Sequence, residues 1–290
     1  MDHGRSHGCD SERCSVAGRF DSLAGMLRAL IVAAALLVAA PQEQLSPELR
    51  QHVNQMIQLQ KNWGPGLSTN GATVKVKEDT PIRQKDIPGA EGNYTVRPYL
   101  MYTTDLPKDK IYHLVEVNFP NFEPRVEMMG IGLNAEGLAV CPGRLGTCIS
   151  KEGPNDPIDL ILASAKGQVH HLGLISDDDG DRAFFTVTPF PVRGVDKSCS
   201  LELQRVLPKA ELVYVVASNL PPDRDVTLDS ISLDERHGMS GKSDSSGNYS
   251  IALLPAVKDK DRGTLQVTVH APGCSPSASI DWGTGSDHFE

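Results

Sequence analysis

Asn219-Leu220-Pro221-Pro222-Asp223 opens, and Asp281-Trp282-Gly283 closes, the stretch that decides the fold. Between them, short runs of alternating apolar residues are separated by turn-forming clusters at spacings of roughly 8–12 residues. A β-sandwich needs that rhythm, because each strand buries every second side chain and then reverses. Just before it, Leu212-Val213-Tyr214-Val215-Val216 is a strand that must stop ahead of Pro221 and Pro222, which lack backbone donors. Val226-Thr227-Leu228-Asp229-Ser230-Ile231 alternates again. Ser243-Asp244-Ser245-Ser246-Gly247-Asn248 reads as a turn, since Asp and Ser bond their own backbone and Gly tolerates positive φ. Tyr249-Ser250-Ile251-Ala252-Leu253-Leu254 runs to Pro255. Thr264-Leu265-Gln266-Val267-Thr268-Val269 then sets Leu265, Val267 and Val269 on one face. No window keeps the i, i+3, i+4, i+7 apolar spacing of a helix.

Working outward, the same order of signals recurs upstream. Asp105-Leu106-Pro107-Lys108-Asp109 matches Asn219-Leu220-Pro221-Pro222-Asp223, each between two strands. The run from Met129 through Asn134-Ala135-Glu136-Gly137-Leu138 matches that from Met239 through Asp244-Ser245-Ser246-Gly247-Asn248. Ile158-Asp159-Leu160-Ile161-Leu162 is equated with Leu265-Gln266-Val267-Thr268-Val269. The reading is a tandem duplication. Residues 169–175 and 183–188 form a hairpin around Asp177-Asp178-Asp179-Gly180-Asp181, placed between the two units. Pro189-Phe190-Pro191 and the following Arg193 to Lys197 mark the boundary. The expected organisation is a leader over 1–40, a helix and linker over 41–93, sandwiches over 94–191 and 192–283, and a tail over 284–290.

Composition is consistent with this. A chain of 290 residues is long enough for two domains, and its 20 prolines and 26 glycines suit turn-rich β structure. A formal charge of −9 excludes nucleic acid as the expected partner and disfavours anionic membranes.

Met26 to Ala40 is the most apolar run. Arg28 lies near its start and Val38-Ala39-Ala40 forms a small-residue exit, the layout of a secretory signal peptide. It is short for a membrane span. A start at Met26 would account for the polar segment ahead of it; an uncleaved anchor, the chain's single expected membrane contact, is the alternative. Ser46-Pro47-Glu48 then opens a helix with Leu49, Val53, Met56, Ile57 and Gln60 on one side, ended by Trp63-Gly64-Pro65-Gly66. That helix either packs on its own protein, tethers it, or docks on an envelope partner. Thr73-Val74-Lys75-Val76-Lys77 reads as an edge strand.

The pattern Asp244…Gly247-x-Tyr249…Leu253-Leu254-Pro255, with Cys274-x-Pro276…Trp282-Gly283, resembles secreted bacterial proteins with immunoglobulin-like or fibronectin III-like modules. The likeness covers 199–283 well and 94–191 more weakly. It implies a mainly β fold of two tandem immunoglobulin-like antiparallel sandwiches, and it brings no catalytic residue.

Four cysteines, Cys141, Cys148, Cys199 and Cys274, lie downstream of the leader, and an even count in an exported chain points to disulfides. Cys141–Cys148 and Cys199–Cys274 keep each bridge within one unit. Other chemistry fares worse. Asp177, Asp179 and Asp181 occupy positions one, three and five of a calcium loop, yet Gly180 comes two places early and Thr188 stands where a bidentate Glu is needed. Gly238-Met239-Ser240-Gly241-Lys242-Ser243 has the tail of a phosphate loop, but Arg236 replaces its first glycine. His170 and His171, adjacent on a strand, face opposite ways. No catalytic, metal or cofactor site is expected. The expected function is a secreted, periplasmic or surface-exposed binding or adhesion module for a protein or surface glycan; a structural component of the envelope and a hydrolase are the alternatives.

Overall fold

The alternating runs become strands of antiparallel sheets. The computed structural model describes residues 47–79, 82–83, 95–118, 123–143, 153 and 155–288. The leader, Ser46 and Cys148 lie outside them.

In the first half, β1 (Thr73–Glu78), β2 (Ile82–Arg83) and β8 (Asp159–Leu162) all pair with β3 (Thr95–Thr104). A second sheet runs β10 (Arg182–Val187), β9 (His170–Ser176), β4 (Tyr112–Asn118), β5 (Glu123–Leu133), β6 (Ala139–Cys141), β7 (Asp156–Pro157). Alternate residues meet between the sheets: Tyr99, Met101, Leu160 and Leu162 against Tyr112, Leu114, Leu172, Leu174 and Phe185. Each such fully buried side chain contributes roughly 1.5–3 kcal/mol.

In the second half, the sheets are β11 (Val192–Asp196), β12 (Cys199–Arg205), β13 (Val213–Ser218), β16 (Tyr249–Leu253), and β15 (Glu235–Lys242), β14 (Asp225–Ser232), β17 (Arg262–His270), β18 (Ser277–Gly283). Leu201, Leu203, Val213 and Val215 face Val226, Leu228, Val267, Val269 and Trp282. The segment 192–196, read as part of a boundary, is strand β11, hydrogen-bonded along β12.

The two halves repeat each other in pairing. β1-β3-β8 faces β5-β4-β9-β10 in the first; β12-β13-β16 faces β15-β14-β17-β18 in the second. Asp105 and Asn219 both adopt positive φ, 62° and 58°. Asn134 Oδ1 accepts from the amides of Glu136 and Leu138, and Asp244 Oδ1 from those of Ser246 and Asn248. Gly137 and Gly247 close these turns at φ 82° and 75°. A Cβ on either would lie 2.3 Å from Thr103 O or 2.2 Å from Leu220 O, so only glycine fits.

One equivalence is corrected. Residues 158–162 correspond to β16, not to 265–269, because β8 lies beside β3 as β16 lies beside β13. The counterpart of β17 in the first half is β9, which lies beside β4 as β17 lies beside β14, so the hairpin β9–β10 completes the first sandwich rather than standing between units. The cause is an excursion. Leu138 bridges Tyr102, the chain leaves through β6 and returns through β7, and only then does β8 resume pairing with β3.

Helix α1 (Pro47–Asn62) ties the halves together. Val53 and Met56 pack on Val206, Leu212, Tyr214 and Ala252 of the second half, and Gln60 Nε2 donates to Gln204 at 2.7 Å. Directly after the helix, Trp63 reaches the first half. Its indole donates to the carbonyls of Leu172 and Phe185 and meets Phe184 and His171 edge-on. A second tie is Arg205, 4% exposed, whose amide and guanidinium donate to the carbonyls of Gly167, Lys166, Pro208 and Asp281. The described residues from 47 to 288 belong to one compact unit.

Candidate functional site

Strand alternation turns Leu114 and Glu116 of β4, and His170 and Leu172 of β9, toward the interior of the first sandwich. At that end of the sandwich the sheets part. β8 pairs only with β3, and β5 up to Met128 pairs only with β4, among the described residues. The gap between these two edges is a half-open cleft of about 370 Å³. Leu114, Met128, Leu160, Leu162 and Leu172 form its walls; Glu116, Glu127, Asp159 and His170 supply its polar groups. A volume of that size matches the lower range of small-molecule sites.

A hydrogen-bonded relay lies at the base. Glu116 Oε1 is 2.6 Å from His170 Nδ1, and His170 Nε2 is 2.5 Å from Ser164 Oγ. With the carboxylate ionised, Nδ1 carries the proton and donates to Glu116, and Nε2 accepts from the Ser164 hydroxyl. Both ring nitrogens are thereby satisfied. This is the connectivity of a serine nucleophile with its base and orienting acid. However, Ser164 is 0% exposed and does not line the cleft. The relay holds the His170 ring in place, with the Ser164 hydroxyl enclosed. On the rim, burial raises the Glu127 carboxyl's proton affinity above the usual range, against the lowering effect of Arg125 3.1 Å away.

The relay was missed by sequence reasoning because its members are 54 and 6 positions apart. A signal existed: Glu116 interrupts the inward row of Tyr112 and Leu114, as His170 interrupts that of Leu172 and Leu174. A polar residue in an apolar row needs an internal partner. His171, as alternation requires, faces the other way, against Trp63.

The remaining candidates resolve as follows. Cys199 and Cys274 are disulfide-bonded, Cα atoms 6.3 Å apart, joining the start of β12 to the turn between β17 and β18. Cys141 is disulfide-bonded. In the acidic turn, the Lys110 ammonium contacts Asp178 and Asp181 at 2.7 and 2.6 Å, and Asp177 contacts His113. These bonds hold Lys110 well above, and Asp178 well below, their usual proton affinities. Of the three positions read as a calcium loop, Asp181 is thus paired with Lys110 and Asp177 with His113. Gly238 to Lys242 lie on the exposed edge strand β15, with no helix behind them. His270 contacts Asp229 and Ser275, both at 3.1 Å, but all three are on an open face.

No protein-family model matches the chain, and no curated protein matches it.

Proposed function

We propose that this chain is an exported, non-enzymatic binding protein of two tandem immunoglobulin-like sandwiches, and that the cleft between β5 and β8 receives its ligand. The cleft is the observation that carries the reading. A well-packed sandwich closes its lateral edge with apolar side chains; here the edge is parted and lined by three carboxylates and an imidazole. The immunoglobulin-like assignment draws support from the pairing shared by both halves, three strands facing four with crossovers between the sheets. Export draws support from the disulfide Cys199–Cys274, which persists in oxidising compartments, and from the leader-like run 26–40. A protein or surface glycan would present a side chain or small group to a cleft of this size.

The test is a fragment screen by NMR on the purified protein, beside the variant Ala163→Trp, which fills the cleft from its half-exposed wall. Fragments should shift residues of β5, β8 and β9 in the wild type and not in the variant. Shifts confined to other surfaces would overturn the assignment.

The Ser164–His170–Glu116 relay favours a second reading, a hydrolase. It ranks below the first because the hydroxyl is enclosed. A fluorophosphonate probe decides between them. Labelling of Ser164 that is lost in His170→Ala would establish the nucleophile and end the non-enzymatic reading. An envelope-docking role for α1 has less support, since Val53 and Met56 are already covered by the second sandwich.

A further inference from the structure

We propose that the cleft between β5 and β8 takes a primary alkylammonium group, an amine on an aliphatic stem, whether on a lysine side chain or on a free aliphatic amine. The inference rests on the cleft being the binding site and adds the chemistry of its occupant.

Three features converge on that class. First, the cleft is amphipathic in the sense a stem-and-head ligand requires. Leucine and methionine walls would strip water from a short methylene chain, which favours binding with each methylene buried. Second, three of its four polar side chains are carboxylates. Glu116, Glu127 and Asp159 line it and no lysine or arginine does, among the described residues. Arg125, which pairs with Glu127, has a side chain 71% exposed, so its charge stays in solvent rather than in the cleft. Third, the acids differ in what they lack. Glu116 already has His170, but Glu127 is partly desolvated and its one ion-pair partner among the described residues is that exposed guanidinium, so a cation entering the cleft would offset its burial. An anion would meet three carboxylates at once. A neutral alcohol would gain the walls but none of the charge. An ammonium supplies three donors on a compact head, and the chain's formal charge of −9 steers cations toward it.

The experiment compares n-pentylamine, n-pentanol and pentanoate, equal in stem length, by NMR titration of the intact protein at low and high salt. A lysine blocked at both ends is the fourth probe. Pentylamine should bind with shifts on β5, β8 and β9, more tightly than pentanol, and pentanoate should not bind. Affinity should fall about two- to fivefold in each of Glu127→Gln and Asp159→Asn, rim changes that leave the relay intact, and should weaken with salt. Blocked lysine binding at least as well as pentylamine assigns the group to a side chain; weaker binding assigns it to a free amine. Pentanol binding as tightly as pentylamine, or a double Gln/Asn variant with unchanged amine affinity, would overturn the ammonium assignment. Should Ala163→Trp abolish such pentanol binding, the binding-site reading would survive its loss. Absence of amine shifts at the cleft refutes the ammonium assignment, while the fragment screen judges the cleft independently.

Discussion

Replacing Trp63 with alanine should uncouple the two sandwiches. The side chain is 7% exposed, donates to the Leu172 and Phe185 carbonyls at 3.0 and 2.9 Å, and sits 5.0 Å from the Phe184 ring. Truncating a buried tryptophan costs about 3–5 kcal/mol from lost transfer energy and the cavity left behind. For a unit this size, that lowers the melting temperature by ~6–20 °C. The loss falls on the first half, where the indole is seated, because the Val53 and Met56 contacts of α1 to the second half stay in place. The chain has two tryptophans. In Trp63→Ala the remaining one, Trp282, reports the core of the second sandwich alone. Urea unfolding followed by Trp282 fluorescence and by far-ultraviolet circular dichroism should then give separate midpoints, the dichroism leading. In Met56→Ala, which cuts the helix's other anchor, the midpoint of the second half should move instead. Coincident midpoints in Trp63→Ala, with stability within 1 kcal/mol of wild type, would refute the strap.

Loss of the Cys199–Cys274 bridge, 75 residues apart, releases loop-closure entropy worth about 4.5 kcal/mol; Cys199→Ser should melt far earlier, with the freed Cys274 thiol titratable after denaturation. Gly247→Ala places a Cβ 2.2 Å from the Leu220 carbonyl at φ 75°, whereas Gly273→Ala at φ 90° meets nothing within 4 Å, so denaturation should show the former costing clearly more. For His171, burial first and the neighbouring His170 second lower the pKa to about 3. The unfolded chain binds a proton near pH 6.5 that the folded one refuses, so this contribution to stability is complete above about pH 6.5 and is lost as pH falls toward 3, at roughly 1.4 kcal/mol per pH unit. His171→Phe should flatten that slope in melting temperatures recorded from pH 4 to 7.

Much of the architecture was legible because it is local. Alternation marked β13, β14, β16 and β17, since a strand's side chains switch faces at every residue whatever it pairs with. The paired motifs at 105–109 and 219–223, and the Asn134 and Asp244 turns, were readable because a short polar side chain and a glycine specify such turns within four residues. The Cys199–Cys274 pairing followed from strand order. The tertiary structure decided what depends on partners distant in sequence. Alternation is the same in either sheet, so 158–162 could be assigned to its place only by its neighbour β3. The apolar stripe of α1 announced burial but not its surface, and the covering came from Tyr214 and Ala252, more than 140 positions away. The cleft was invisible for the same reason. Glu116, Glu127, Asp159 and His170 are ordinary strand residues until two sheet edges part beside them, and that parting follows from how the sheets pack, which no single segment encodes.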